Sequence, residues 1–199
     1  RFLNARRDGI DQRDRMYVPT LVEVPMTRDL AKYRGAEPTI HATGPTGAYT
    51  GFGLATVAHY LLRRRKIKSD STEVSPFMFY DMARRYDEWA GVDYEGSSCR
   101  GAIKGWYKHG VCKKDLWSSS AKTIKALNHD IVMDAAGRPL GAYFRVNHKD
   151  LVAMHAAITE TEVLYASATV HTGWQKVKNP SKIPYETKTT GGHESEMVV

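Results

Sequence analysis

Thr43-Gly44-Pro45-Thr46-Gly47-Ala48-Tyr49-Thr50-Gly51-Phe52 is the stretch on which the reading of this chain turns. Its glycines and proline make a tight turn, and from Phe52 to Leu62 apolar residues recur at helical spacing. The spacing predicts a helix from about Thr50 to Lys66, with Leu54, Val57, Ala58, Leu61 and Leu62 on one stripe. Small residues at Gly51, Gly53 and Ala55 suit close burial of its first turns. A turn feeding a helix in this way presents the residue at its mouth to the positive end of the helix dipole, a field that lowers a thiol's pKa and favours the thiolate. The residue at the mouth is Tyr49, a phenol.

Outward from this helix the punctuation is mostly local. Ser75-Pro76 pairs an N-cap with a proline at the first helical position, which starts a second helix running through Phe77, Met78, Tyr80, Met82 and Ala83 towards Asp87. Residues 91–98, Gly91 to Ser98, read as loop. A third helix is expected from about Ser98 to His109, stopped by Gly110. Residues 1–40 read as extended and irregular, with Asp11, Arg13, Asp14 and Arg15 preceding a proline-flanked Val18 to Pro25 suited to an edge or surface wrap. From Pro139 onward the pattern changes. Leu140–Val146 reads as strand, Asn147 as the cap of a helix through Ala157, Glu162–Val170 as a second strand, and 171–192 as loop. Helices first and strands second predict an α+β protein: an extended N-terminal segment (1–40), a helical lobe (41–138) and a β-rich lobe (139–199), with a cleft between the lobes.

The 199 residues, 42% hydrophobic and 26% charged, suit one globular domain or two small lobes sharing a cleft. No apolar run is long enough to span a bilayer and no signal-peptide pattern opens the chain. It begins at Arg1 rather than Met, as a processed or trimmed polypeptide would. Two cysteines, Cys99 and Cys112, are too few for a disulfide framework and lie thirteen positions apart without metal-ligand partners. A reducing, cytoplasmic compartment is the simpler expectation. The net charge of +7 permits nucleic acid as a partner. However, the densest basic run, Arg63-Arg64-Arg65-Lys66-Ile67-Lys68, falls at a helix C-terminus and carries no interleaved aromatics, so a solvated helix end is expected instead.

Other chemistry-bearing residues weigh the same way. Cys99 or Cys112 as a displaced nucleophile competes with the commoner role of a small buried hydrophobe. His148 and His155, seven apart on one predicted helix, and His193-Glu194-x-Glu196 are the metal-like groupings. No His-Glu-x-x-His and no Cys-x-x-Cys accompanies them, and neither a metal nor a cofactor is expected. Tyr86, Trp89, Tyr94, Trp106 and Trp117 surround the middle helices. They read as packing core, with Trp89 and Tyr94 the members expected to be exposed on a peptide-binding wall.

Together these motifs resemble the papain family of cysteine peptidases, in particular its bacterial branch. The match runs through Gly44, Gly47, Gly51 and Phe52, the helix Phe52–Leu62, the Val74-Ser75-Pro76 segment that opens the next helix, and Glu95-Gly96-Ser97-Ser98 with Arg100-Gly101-Ala102 and Gly110-Val111. It ends at Gly191-Gly192-His193 and covers roughly residues 10–193. The resemblance implies a papain-like two-lobe fold, with Tyr49 in the nucleophile position, Thr43 in that of the oxyanion-hole glutamine and His193 in that of the general base. It implies a substrate cleft bordered by Gly47, Trp89, Tyr94, Gly96, Ser97, Ser98 and Gly192. After His193 the chain reads Glu194-Ser195-Glu196-Met197-Val198-Val199, without the family's Asn-Ser-Trp-Gly segment. The resemblance places the family's closing strands beyond Val199: either they are absent from this sequence or a second chain covers the open β edge.

These departures bear on the chemistry. Peptide hydrolysis on this scaffold needs a thiolate, an imidazole, an orienting group and an oxyanion hole. A phenol, with a reference pKa of about 10, is a weak nucleophile towards amides, and its ring would fill the space of the scissile carbonyl. Losing one oxyanion donor alone costs about 10²–10³ in turnover, and threonine lacks a glutamine's reach. A nucleophilic tyrosine would bring paired carboxylates or a basic clamp, and none is identifiable beside Tyr49. The sequence thus predicts a papain-like homologue without catalysis, binding a polypeptide or partner protein. The alternative is an active cysteine peptidase seen in an inactivated or truncated form.

Overall fold

Helix α1, Tyr49–Arg63, starts one residue before the expected position and ends three residues short of Lys66. The computed structural model describes residues 5, 6, 8, 9, 11–29, 47–87, 96–119, 126–168, 171–176 and 183–187. Among the described residues four further α-helices follow: α2 Pro76–Tyr86, α3 Cys99–His109, α4 His129–Ala136 and α5 Leu151–Thr161. Single 3-10 turns lie at Lys114–Leu116 and Thr172–Lys176. The named strands among the described residues are β1, Ala5–Arg6, and β2, Ser97–Ser98, paired in parallel with Ala5 opposite Ser97 and Arg6 opposite Ser98.

The core is the stack of α1, α2 and α3. Leu54, Val57, Ala58 and Leu62 of α1 are buried as the spacing predicts, but Leu61 is exposed. Its place in the burial of α1 is taken by His59 and Tyr60, because this helix is enclosed on more than one side. Ser75 begins α2 by accepting the Met78 N–H at 3.0 Å, and its hydroxyl donates to the Trp117 carbonyl at 2.5 Å. Trp117 is wholly buried, with its indole N–H on the Asp81 carboxylate at 2.9 Å. Trp106 packs edge-on against Phe79 at 5.3 Å. These two tryptophans are packing core, as the sequence predicts. Gly110 ends α3 with φ of 69° and returns its N–H to the Trp106 carbonyl at 2.8 Å, a conformation that a residue with a Cβ adopts at a cost.

Helix α1 crosses α2 with almost no gap. A Cβ built on Gly51 would lie 2.1 Å from the Pro76 carbonyl oxygen and 2.9 Å from the Tyr80 Cβ. The corresponding figure for Gly105 of α3 is 2.5 Å from the Met82 Cβ, so α2 is approached closely from both sides.

The second half departs from the sequence reading. Leu140–Val146 is not a strand: it meets the N-terminal segment in one parallel bridge, Arg145 with Met16. Its side chains are committed individually, Tyr143 against the Tyr107 ring at 5.6 Å and Arg145 to Asp14, and no ladder forms. The cap of the next helix is Asp150, accepting the Ala153 N–H at 3.1 Å, and not Asn147, which closes the preceding turn by accepting the Lys149 N–H. Helix α5 runs to Thr161 and not Ala157. Glu162, at φ of 66°, closes it, and 163–168 continue without strand beyond a lone bridge residue at Ala168. Helix α4 was not expected. Asn128 caps it through the Ile131 N–H at 2.9 Å, but eight residues carry too little periodicity to be read alone. The 3-10 turn Thr172–Lys176 lies within the stretch read as loop, as does β2 within 91–98.

Arg138, just beyond α4, ties this region to the segment that follows α1. Its Nε lies 3.3 Å from the Asp70 carboxylate and its Nη1 lies 2.9 Å from that of Asp134. Burial pushes the Asp70 carboxyl up, but hydrogen bonds from Thr72 and the charges of Arg138 and Arg65 outweigh it and hold the group below its ordinary value. Folding therefore favours the ionised form. The contribution is whole above the ordinary carboxylate range, near pH 4, and is lost as pH falls through and below it. Asp70→Asn is expected to lower stability by about 1 kcal/mol at pH 7, with the two proteins converging in urea melts as pH falls below the ordinary carboxylate range. Gly51→Ala is expected to cost about 3 kcal/mol, since the obstacle is main chain and cannot swing aside. A thermal midpoint equal to that of the unsubstituted protein would contradict the close crossing.

Candidate functional site

Tyr49 is the first residue of α1 and is half-buried. Ala48 precedes it in the N-cap position and supplies no side-chain cap, so the dipole's positive end is not masked from within the turn. Gly47 forms the bend before it. Thr50 turns inward, 1% exposed, and its hydroxyl meets the Ser97 hydroxyl at 2.5 Å. The Thr50 carbonyl accepts the Tyr165 hydroxyl at 2.8 Å. The first turn of α1 is thus attached to β2 and to the segment after α5.

Residues 96–98 lie against the first turn of α1. Gly96 sits at φ of 142° and donates its N–H to the Tyr80 hydroxyl at 3.1 Å. The hydroxyls of Ser97 and Ser98, read from sequence as substrate contacts, are buried and already engaged. Ser97 is bound to Thr50, and Ser98 caps α3 by accepting the Gly101 N–H at 3.0 Å. They build the wall from behind. The Ser98 N–H in turn reaches Asp87 at 3.2 Å.

Behind this wall runs the N-terminal segment. Asp8 accepts the Arg100 N–H at 3.0 Å, placing a carboxylate at the start of α3 where the helix dipole favours it. Asp14 pairs with Arg100 and, at 3.1 Å, with Arg145. Asp11 receives Lys104 at 3.5 Å and Arg13 at 2.9 Å. Hydrogen bonds from Arg13, with its charge and that of Lys104, hold the Asp11 carboxyl well below the usual carboxylate range. Burial, and then the Asp14 charge, push the Tyr143 phenol up. Further along, Tyr17 and Thr20 reach Glu160, and Arg28 reaches the Thr159 carbonyl at 3.1 Å, both on α5. A segment read only as a surface wrap therefore fastens α3 to α5.

The remaining sequence-predicted residues, Thr43, Trp89, Tyr94, Gly192 and His193, lie outside the described residues. Of those described, the structure brings α1's first turn, which Tyr49 opens, together with Ser97. Thr50, Tyr80 and Tyr165 were not singled out by sequence reasoning: each matters through a bond to a residue distant in the chain, and no local pattern announces it. Cys99 and Cys112 are both buried. His148 precedes α5 in a turn while His155 stands exposed on the helix, so the two do not share a helix face as expected. Among the described residues no group of three or more His, Cys, Asp or Glu side chains is placed to hold a metal ion, and no helix is long and apolar enough to cross a membrane.

The chain is similar to xylellain, a cysteine protease from Xylella fastidiosa, with a TM-score of 0.74 and 22% identity over 96% of this chain and 77% of that one. The fold is papain-like. It is also similar to digestive procathepsin L 3 of the Tenebrio molitor larval midgut, with a TM-score of 0.63 and 15% identity over 84% of this chain and 52% of that one. No family model and no curated protein matches the chain. At these identities the likeness carries the architecture, and the chemistry rests on the residues described above.

The charge pairs behind the wall give a direct expectation. Asp14→Asn removes the carboxylate shared by the buried Arg100 and by Arg145. It is expected to cost about 3 kcal/mol in urea unfolding and to speed tryptic cutting after Arg13 and Arg15 in the native protein. Unchanged stability and cutting would show that the segment is held by other contacts.

Proposed function

We propose that this chain is a papain-like peptidase homologue in which Tyr49 stands in the nucleophile's seat, so that its cleft binds a polypeptide or partner protein without cutting it. The observation that carries the reading is the position of Tyr49 as the first residue of α1, with the next residue locked against Ser97. The architecture shared with two cysteine proteases supports it. A thiol at that position would be favoured as thiolate by the helix terminus, whereas a phenol gains no comparable nucleophilicity towards an amide. In this reading Thr43 takes the oxyanion position and His193 that of the base. Gly47, Trp89, Tyr94, Gly96 and Gly192 border a cleft between the helical lobe and the second half of the chain, with Ser97 and Ser98 supporting it from behind. A threonine in the oxyanion position removes a donor worth about 10²–10³ in rate, so hydrolysis is disabled at two points.

The experiment restores both losses. The natural chain is expected to leave an unfolded protein substrate intact while retaining an unreactive peptide in equilibrium binding, and cleavage by it would overturn the proposal. The double variant Tyr49→Cys, Thr43→Gln is expected to be labelled at position 49 by a thiol-reactive peptide probe yet to leave the same protein substrate intact while folded. Cleavage of the substrate by that variant would favour the second reading, an active cysteine peptidase represented here in inactivated form, which the likeness to xylellain supports.

A further inference from the structure

The buried face of α1's first turn carries an arrangement that neither its turn chemistry nor its helix propensity requires. Thr50 has two bonds to distant parts of the chain: its side chain to Ser97, 47 residues on, and its carbonyl to Tyr165, 115 residues on. A threonine inside a helix ordinarily returns its hydroxyl to the carbonyl four residues back, as Thr56 does to Phe52 at 3.2 Å. Thr50 lies too near the helix start for that bond, and at 1% exposure its hydroxyl meets a protein partner. Ser97 is fully buried and is held in β2 by its register with Ala5, while the preceding Gly96 is held by Tyr80. The Tyr165 bond uses the free lone pair of a helical peptide oxygen and so adds to the helix without competing with it.

We infer that Thr50, Ser97 and Tyr165 form a clasp that positions residue 49 relative to the N-terminal amides of α1. The three are positioning residues: none touches a substrate, and each acts through the orientation of the first turn. Because three hydroxyls and a carbonyl from three chain segments meet there, the turn cannot fray or shift without leaving a buried polar group unmatched. The first turn therefore stays formed, and the side chain at position 49 keeps its place at the positive end of the helix dipole, whatever residue occupies it. The inference rests on the proposed identity of the site only in regarding residue 49 as its focus.

A thiol placed at position 49 reports the effect. In the full chain carrying Tyr49→Cys, iodoacetamide alkylation at position 49, followed by peptide mass from pH 5 to 9.5, is expected to show a midpoint below that of a free cysteine, about 8.5. Adding Tyr165→Phe, or separately Thr50→Val, is expected to raise that midpoint and slow alkylation at pH 7 by roughly three- to tenfold. Tyr17→Phe, which removes a hydroxyl from Glu160 on α5, is the control and is expected to leave the profile unchanged. Profiles that superimpose with and without Tyr165→Phe, in proteins whose circular dichroism shows them folded, would overturn the inference. So would an ordinary free-thiol profile in the Tyr49→Cys parent, since no positioned field would then exist. Failure of the peptidase-homologue reading looks different: the alkylation profile stays perturbed and clasp-dependent while no peptide is bound.

Discussion

Helix α1 lies against the main chain of α2 because residue 51 has no side chain. With the Pro76 carbonyl oxygen 2.1 Å from where a Cβ would sit, the two helices share a contact that no other residue type fits. What surrounds the site follows from that closeness. Tyr80, one turn into α2, is near enough for its hydroxyl to receive the Gly96 N–H, and β2 follows directly from Gly96. Ser97 thereby arrives beside Thr50, and the first turn of α1 gains its second attachment. Separating α1 from α2 would undo these contacts in sequence, because each is short and each is buried.

Charge has a structural use in this chain beyond any partner. Several of the cations behind the +7 balance meet carboxylates within the chain. Arg100, Arg145 and Lys104 meet the carboxylates of the N-terminal segment, and Arg138 meets Asp70 and Asp134. Even in the basic run at the end of α1, Arg64 bridges to Glu162 at 2.8 Å and lies over the Tyr60 ring. Such pairs stabilise mainly where they are withdrawn from solvent, which is the case for Arg100 with Asp14 more than for Arg13 with Asp11. The N-terminal segment is consequently part of the body of the protein, spanning from the wall of the site to α5.

The helices of the first half were legible because their signals are local. Ser75 followed by Pro76, and Gly110 after a periodic run, act within one turn of backbone, so neighbouring residues suffice to read them. The failures have the complementary cause. Ala5 and Arg6 pair with residues 92 positions away, and a two-residue parallel ladder leaves no alternation to detect. Leu140–Val146 and Glu162–Val170 have the composition of strands, but a strand exists only where a partner offers its edge. Arg145 meets Met16 at a single bridge, and Val163 and Tyr165 pack singly against the helical core.

At the site itself the same division holds. The glycine turn, the helix behind it and the phenol at its start are written in ten consecutive residues, since turn geometry and helix initiation depend on nearest neighbours. That Thr50 would face inward, that Ser97 would meet it, and that Tyr165 would reach its carbonyl were settled only when the chain had folded. A hydrogen bond between residues 47 or 115 positions apart depends on the path of everything between them. By itself, then, the sequence determined which group stands at the mouth of α1; the tertiary packing decided how firmly, and in what direction, that group is held.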